Sequence, residues 1–283
     1  MSSSTQDAPR RRPRKQMKTW QRVLFHWRLP LVIVLVLMVL SGVAVQAVSA
    51  KLAAREKAKQ DEVDQAAAEV MTYEEAVVDA LQAEQTEVHD LVCLVKEDGR
   101  VTYDAETDRV QLVFWTNAAA ENFVKDSQVT LDDYTYAYAD LELASWGAAN
   151  KDVLKNSKEA RLVQLFGQPE GSAGTTFVVA SVTPERVLRA AYQPDAQLKK
   201  MSLAFEETVD QDYISWFNSE ITENYFTNPR PWTRLGYTYD WGASGDEHYG
   251  VTEFVIPAGT KVTIKDTFTN DEMITRLRKG KIQ

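Results

Sequence analysis

The uncharged apolar run of residues 29–50 constrains this chain more than any other feature. Its sequence, "LPLVIVLVLMVLSGVAVQAVSA", contains no charged side chain and no polar residue before Ser41. As a helix rising about 1.5 Å per residue it measures about 33 Å, which is enough to cross a hydrocarbon core of about 30 Å. We therefore expect one transmembrane helix over residues 29–50.

The charge on either side of this run predicts its orientation. Residues 1–28 hold six Arg, two Lys and one Asp, a net charge of +7, whereas the whole chain carries −9. The remainder is therefore strongly acidic, at −16. Because positive charge stays on the cytoplasmic side, we expect a basic cytoplasmic arm and an extracytoplasmic main domain in the cell membrane. An acidic main domain also argues against a nucleic-acid partner.

A cleavable signal peptide is the alternative to an uncleaved anchor. Small residues at Ala47 and Ala50 suit a signal peptidase. The apolar run is longer than the usual 7 to 15 residues of a signal peptide, which favours the anchor. In both cases the bulk of the chain lies outside the cytoplasm.

Residues 51–88 have the composition of helix, rich in Ala, Glu, Lys and Gln and without Gly or Pro. Thr72 followed by Glu75 forms a capping-box pattern, which predicts a break near Met71. We expect residues 51–72 to form a helical stalk and residues 73–283 to form a single domain.

Helix and strand signals alternate irregularly along residues 73–283, which predicts an α+β domain with a mostly antiparallel sheet. We expect a hairpin turn at 97–100, strands at 109–115, 134–146 and 175–182, and a helix capped by Thr183. An amphipathic helix over 210–226 should turn Tyr213, Trp216, Phe217, Ile221 and Phe226 inward. Three strands, at 234–241, 251–257 and 261–268, should close the domain. No nucleotide-binding glycine motif is present.

Several blocks between about residue 140 and residue 266 resemble a set of uncharacterised bacterial proteins. The blocks are "RLVQLFGQPEG", "TTFVVASVTPERVLRAAYQPDA", "ISWF", "PWTRLGYTYDWG" and "YGVTEFVIPAGTKVTI". The set shares the block "PWTRLGYTYDW…YG-x-S/T-E-F-V". The resemblance implies one domain and no particular activity.

Residues 253–264, "EFVIPAGTKVTI", are similar to the last motif of ADP-ribosyltransferases, in which a catalytic Glu precedes a strand and "P-x-G-T". The similarity implies Glu253 as a catalytic residue. Val251 stands where many members carry Glu or Gln.

The segment "PWTRLGYTYDWGASGDEHYGVTEF", residues 231–254, concentrates polar and aromatic side chains around a glycine-rich turn. We expect a hairpin in which Val251, Glu253 and Val255 share one face. A buried Glu253 needs a partner, for which Arg234 or a tyrosine hydroxyl is the candidate. The hairpin is either packed core or a site, whose candidate binding residues are Arg234, Tyr237, Tyr239, Asp240 and His248.

The sequence predicts neither a metal site nor an intrachain disulfide bond. Asp246, Glu247 and His248 are adjacent, so their side chains diverge, and the single cysteine, Cys93, lies in the apolar run "LVCLV". We expect no metal and no cofactor. Further aromatic residues could stack on sugars or on a protein partner, although core filling is the commoner role: Trp115, Tyr134, Tyr136, Tyr138 and Trp146.

These features favour a membrane-anchored envelope protein whose outer domain binds a protein or a cell-wall polymer without catalysis. Two alternatives stay open. One is an NAD-dependent ADP-ribosyltransferase-like enzyme using Glu253. The other is a bitopic subunit of a secretion or conjugation machine, which rests on architecture alone.

Overall fold

The computed structural model describes Ser49 and residues 51–58, 71–244 and 248–283. The expected transmembrane segment lies outside the described residues apart from Ser49, and so do residues 59–70 of the expected stalk. No helix in the part that is described has the length and apolar character needed to cross a bilayer. The chain divides into two units, Met1–Gln65 and Ala66–Gln283. In the first unit, residues 51–58 are helical.

The second unit is α+β. Its α-helices are α1 (Tyr73–Asp79), α2 (Asp140–Ala149), α3 (Lys151–Leu165), α4 (Gln211–Thr222) and α5 (Asn270–Leu277). Its strands are β1 (Tyr103–Asp104), β2 (Arg109–Thr116), β3 (Gln128–Thr130), β4 (Thr135–Ala139), β5 (Thr176–Val182), β6 (Leu188–Arg189), β7 (Tyr237–Tyr239), β8 (Tyr249–Ile256) and β9 (Lys261–Thr269).

The strands form one antiparallel sheet in the order β3-β9-β5-β2-β4-β8-β6, with β1 added to β2 and β7 added to β8. β5 pairs with both β2 and β9, and all seven of its residues are buried. β8 pairs with β4, so that Tyr138 lies opposite Glu253. The predicted α+β class and the mostly antiparallel sheet are confirmed.

Apolar side chains cover both faces of this sheet, as expected where strands are buried on each side. Helices α2, α3 and α5 pack Leu143, Leu162 and Leu277 on one face, against Val113 and Phe177 of the sheet. On the opposite face, loop residues around 92–101 and 123–131 cover a second core, which includes Leu112, Phe114, Val178, Phe254, Val262 and Ile264.

Helix starts follow the capping rules that the sequence indicates. Thr72 and Glu75 form the predicted capping box at the start of α1. Thr269 and Glu272 form another at α5, and the Asp210 carboxylate accepts two backbone N–H groups at α4. These bonds satisfy amide donors that a first helical turn otherwise leaves free.

Two expected strand features are wrong. No hairpin forms around 97–100, because Leu91 and Leu94 donate their backbone N–H groups to the carbonyls of Lys199 and Ala196 instead. The strand expected over 134–146 ends at Ala139 and continues as α2. Three buried residues of α2 follow helical rather than alternating spacing: Leu143, Ala144 and Gly147.

Two expected helical features also differ. Thr183 precedes a single 3-10 turn, Pro184–Arg186, and does not cap a helix, because the chain then enters β6 and pairs with β8. The helix over 210–226 changes to a π turn at Glu223–Thr227. A π turn contains more residues than an α-helical turn, so the side chains that follow it point to a different side of the helix. Phe226 is consequently 75% exposed, and Asn224 is buried instead.

Candidate functional site

Most of the candidate residues of the hairpin form hydrogen bonds or ion pairs with neighbouring segments of the fold. Tyr237 donates its hydroxyl to the Glu87 carbonyl at 3.0 Å, and Tyr239 donates to the Asp79 carboxylate at 2.7 Å. Tyr237, Tyr239 and Asp240 are all buried. These bonds tie β7 to α1 and to the segment that follows it.

Asp240 forms a buried ion pair with Arg161 of α3. Two guanidinium nitrogens donate to its two carboxylate oxygens, each at 2.7 Å, and the side chains are 3% and 6% exposed. The guanidinium also lies 4.9 Å from the centre of the Trp146 ring. Bidentate geometry of this kind fixes α3 against the hairpin and leaves Asp240 little freedom to contact a ligand.

Arg234 points away from Glu253. Its backbone has a positive φ of 59°, and its guanidinium donates to the Leu81 carbonyl at 2.8 Å and to the Tyr192 hydroxyl at 3.0 Å. Of the two candidate partners of Glu253, Arg234 or a tyrosine hydroxyl, Arg234 is therefore excluded, and the chain is not extended at this residue.

His248 lies in the hairpin immediately before β8. Its ring stacks on Tyr239 with centroids 4.8 Å apart, and Nδ1 lies 3.2 Å from the Asp240 carbonyl oxygen. Its neighbours Asp246 and Glu247 are outside the described residues. Among the residues that the structure describes, no group of three His, Cys, Asp or Glu side chains could hold a metal ion.

Glu253 is buried on the helix-covered face, with 7% of its surface exposed. Burial raises the pKa of its carboxyl from 4.5 to about 7, and the charge of Glu220 also raises it, while Arg230 lowers it. The cation near Glu253 is thus Arg230, four residues before the Arg234 that the sequence suggested.

Glu220 and Arg230 belong to the same network and are themselves half-buried. The Tyr136 hydroxyl donates to Glu220 at 2.7 Å, and an Arg230 nitrogen lies 3.6 Å from the same carboxylate. The Arg230 guanidinium also bonds Asn224 and lies 4.9 Å from the centre of the Tyr136 ring. Burial raises the pKa of the Tyr136 hydroxyl well above its usual range, so it remains a donor.

An open pocket of about 730 Å³ lies elsewhere, where the end of β2 meets the start of β4. This aromatic pocket is lined by the following residues: Phe114, Trp115, Thr116, Asn117, Ala118, Asn122, Phe123, Val129, Thr130, Leu131, Asp132, Asp133, Tyr134, Thr135, Tyr136, Tyr138, Phe166, Gln168, Ser172 and Gly174. Its volume is within the range that ligand sites usually have.

Fixed aromatic rings form the walls of the aromatic pocket. Tyr138 stacks on Phe166 at 4.2 Å, and Trp115 stacks on Phe177 at 5.0 Å. Tyr134 is 40% exposed and stacks on Trp216 of α4 at 5.1 Å. Rings held in this way offer flat surfaces to a ligand at little cost in side-chain entropy.

Polar groups at the rim of the aromatic pocket are open to a ligand. Asn117, Asn122 and Asp132 are exposed, and their side chains have no hydrogen-bond partner among the described residues. Asp133 is also exposed, and its carboxylate accepts only the backbone N–H of its neighbour Tyr134 in the described part of the chain. The pocket therefore combines apolar faces with free acceptors and amides.

The aromatic pocket brings together four of the five aromatic residues noted in the sequence, namely Trp115, Tyr134, Tyr136 and Tyr138. Trp146 lies apart, beneath Arg161. The candidate hairpin residues Arg234, Tyr237, Tyr239, Asp240, His248 and Glu253 do not line the pocket. Sequence reasoning missed the polar rim, for which the pair of carboxylates in "DDYTYAY", just before an aromatic strand, was the available signal.

Comparisons with protein-family models, with curated proteins and with solved structures found no match to this chain.

Proposed function

We propose that this chain is a single-pass membrane protein of the cell envelope whose outer domain binds a protein or a cell-wall polymer. The uncharged run at 29–50 and the basic arm before it support the anchor and its orientation. The helical residues 51–58 are compatible with a stalk between the membrane and the domain.

The aromatic pocket is the observation that carries the binding function. Its rings are fixed by packing, and Tyr134 is presented to solvent. The rim side chains of Asn117, Asn122 and Asp132 have no hydrogen-bond partner in the described part of the chain. A hydrophobic or aromatic lining with a few convergent polar groups is the usual composition of a ligand site. The hydroxyl, amide and carboxylate side chains of the lining can form hydrogen bonds with a ligand.

A transferase built on Glu253 has less support. Its carboxyl is buried near Arg230 and does not line the aromatic pocket. A catalytic carboxylate has to reach its substrate, which this position does not offer. The hairpin is better explained as packed structure that supports the sheet.

In-cell photo-crosslinking tests the proposal. A photoreactive phenylalanine analogue replaces Tyr134, and the matched control replaces Leu203, which is 36% exposed and does not line the pocket. We expect a light-dependent adduct at position 134 only. Digestion of the adduct with a protease or with a wall hydrolase identifies the partner as protein or polymer. Equal adducts at both positions, or none at 134, would contradict the pocket as the site.

A subunit of a secretion or conjugation machine is a special case of the same proposal. It predicts that position 134 forms adducts with a reproducible set of membrane proteins rather than with a single partner or the wall. The crosslinking experiment separates these outcomes by the masses of the protein adducts.

A further inference from the structure

We propose that the aromatic pocket binds the cationic side chain of a lysine or arginine, carried on an extended segment of a partner protein that adds as a strand to the free edge of β3. This inference rests on the proposed function and names the class of its partner. Three observations support it: the charge of the lining, the placement of the rings and the position of β3 in the sheet.

The lining of the aromatic pocket is acidic. Of its twenty residues, Asp132 and Asp133 are charged, and none is Lys, Arg or His. Neither carboxylate forms an ion pair within the described part of the chain. Arg230 lies over the Tyr136 ring but pairs with Glu220, and Lys261, opposite Thr130, lines a different pocket. Two exposed, unpaired carboxylates attract a cation and repel an anion.

The rings strengthen the preference for a cation. The Tyr136 ring already carries the Arg230 guanidinium, 4.9 Å from its centre. The rings left for a ligand are Trp115, which is half-buried, and Tyr134, which is 40% exposed with its ring held against Trp216. A lysine or arginine side chain gains by lying over the face of such a ring, while its aliphatic stem packs on the apolar wall. A carboxylate beside aromatic faces therefore selects a long cationic side chain over a neutral one of the same length.

The position of β3 explains why the cation should come from a protein. β3 is the last strand of the sheet, and in the described part of the chain it pairs only with β9. Its other edge presents unpaired backbone N–H and C=O groups, and Gln128 and Thr130 are exposed. Val129 and Thr130 also line the pocket. An extended peptide can pair with this edge and place one side chain in the pocket, which is the geometry of β-augmentation.

A neutral glycan is the other ligand that aromatic rings and free amides suit. It would use neither the two carboxylates as charges nor the strand edge. The charge and the open edge together favour the peptide.

The test measures peptide binding by the full-length chain in nonionic detergent micelles, using fluorescence anisotropy. The probes are labelled, strand-forming nonapeptides of threonine and valine with a central Lys, Arg, Gln or Glu. We expect the Lys and Arg peptides to bind about tenfold more tightly than the Gln peptide and the Glu peptide most weakly. The Lys preference should shrink when NaCl rises from about 50 mM to about 500 mM.

Two sets of changes assign the binding to the proposed contacts. Asp132→Asn combined with Asp133→Asn should remove the Lys preference and leave Gln-peptide binding unchanged. The matched control, Glu97→Gln with Glu207→Gln, removes the same charge from exposed positions outside the lining and should keep the preference. N-methylation of every second peptide amide blocks hydrogen bonding along one edge of the peptide, and two such methylation patterns exist. Only one of the two patterns should weaken binding, by about tenfold, because only one edge of the peptide pairs with β3.

Equal affinity for the Lys, Gln and Glu peptides, or a preference that both double variants keep, would overturn the inference. Binding of isolated cell-wall polymer that Tyr134→Ala abolishes, with no peptide bound, would overturn the inference while the proposed function stands. If neither peptides nor wall polymer bind in a way that depends on Tyr134, both fall.

Discussion

Replacing Glu253 by glutamine should make the domain less sensitive to pH, because the buried carboxyl opposes folding when it is ionised. In the folded chain, burial raises its pKa from 4.5 to about 7. In the unfolded chain the carboxyl is in water and ionises near its ordinary pKa. The folded state thus binds this proton more tightly than the unfolded state does.

The size of the effect follows from the difference between the two pKa values. One pKa unit corresponds to about 1.4 kcal/mol, so Glu253 contributes about 3 kcal/mol to the free energy of unfolding at low pH. This contribution is complete below pH 4.5, declines as the pH rises toward 7 and is absent above it. Glutamine does not titrate, and Arg230 keeps Glu220 as an ionic partner in the variant.

Urea unfolding of a fragment beginning at Met71, followed by tryptophan fluorescence, measures the effect. Between about pH 4 and pH 8, the stability of the wild type relative to Glu253→Gln should fall by about 3 kcal/mol. Burial also raises the pKa of Asp140 and Glu142, so the absolute pH dependence has several sources and only the difference isolates Glu253. Glu207→Gln, at an exposed position, is the matched control.

A constant difference between the two proteins across this range would refute the reasoning, since it would mean that the pKa of Glu253 is the same in both states. A wild type that gains relative stability toward pH 8 would also refute it, because pairing with Arg230 would then outweigh burial.

Further predictions concern the hairpin, its glycine and the orientation of the chain. Asp240→Asn should lower the free energy of unfolding by about 3 to 5 kcal/mol, because Arg161 keeps a buried charge without its partner; a loss under about 1 kcal/mol in urea unfolding would contradict this. Gly250→Ala should lower the thermal midpoint, since a Cβ there lies 2.2 Å from the Thr238 hydroxyl oxygen, whereas Gly99→Ala meets nothing within 4 Å and should be neutral. A membrane-impermeant maleimide should label Asp133→Cys on intact cells that have no outer barrier, while the buried native cysteine stays unlabelled. Labelling only after permeabilisation would contradict the proposed orientation.

Local sequence signals predicted the strands at the centre of the sheet. β2, β5, β8 and β9 are apolar or alternating runs, so the periodicity of their own residues predicts extended chain. The capping box at Thr72 was predicted for the same reason, since it depends on residues three apart.

Features set by distant contacts could not be predicted. In α2, Gly147 lies so close to α5 that a Cβ would be 2.6 Å from that of Leu277, and this helix packing overrides the strand-like alternation of "YTYAYADLEL". The ionic partner of Glu253 was misassigned because positive φ angles at Arg234 and Gly236 interrupt the expected strand.

The aromatic pocket was only partly predictable. Three of its rings, Tyr134, Tyr136 and Tyr138, belong to one alternating run of the sequence, of which Tyr136 and Tyr138 lie on β4. The pocket itself forms where segments near residues 115–123, 131–136 and 166–174 meet, and only the tertiary fold brings these together. The hairpin was a candidate site in the sequence because it is rich in polar residues, but its side chains are largely buried in the fold.

Amide hydrogen exchange in native membranes tests most directly whether the aromatic pocket, rather than the hairpin, is the site. The measurement compares the chain in envelope fragments, where its partner is present, with the purified chain in detergent. We expect slower exchange in the envelope at residues 117–122 and 128–136. Residues 237–240 and 250–256 should exchange equally in both samples, because they are already buried and paired. Slower exchange confined to the hairpin, with the pocket segments unchanged, would contradict the account.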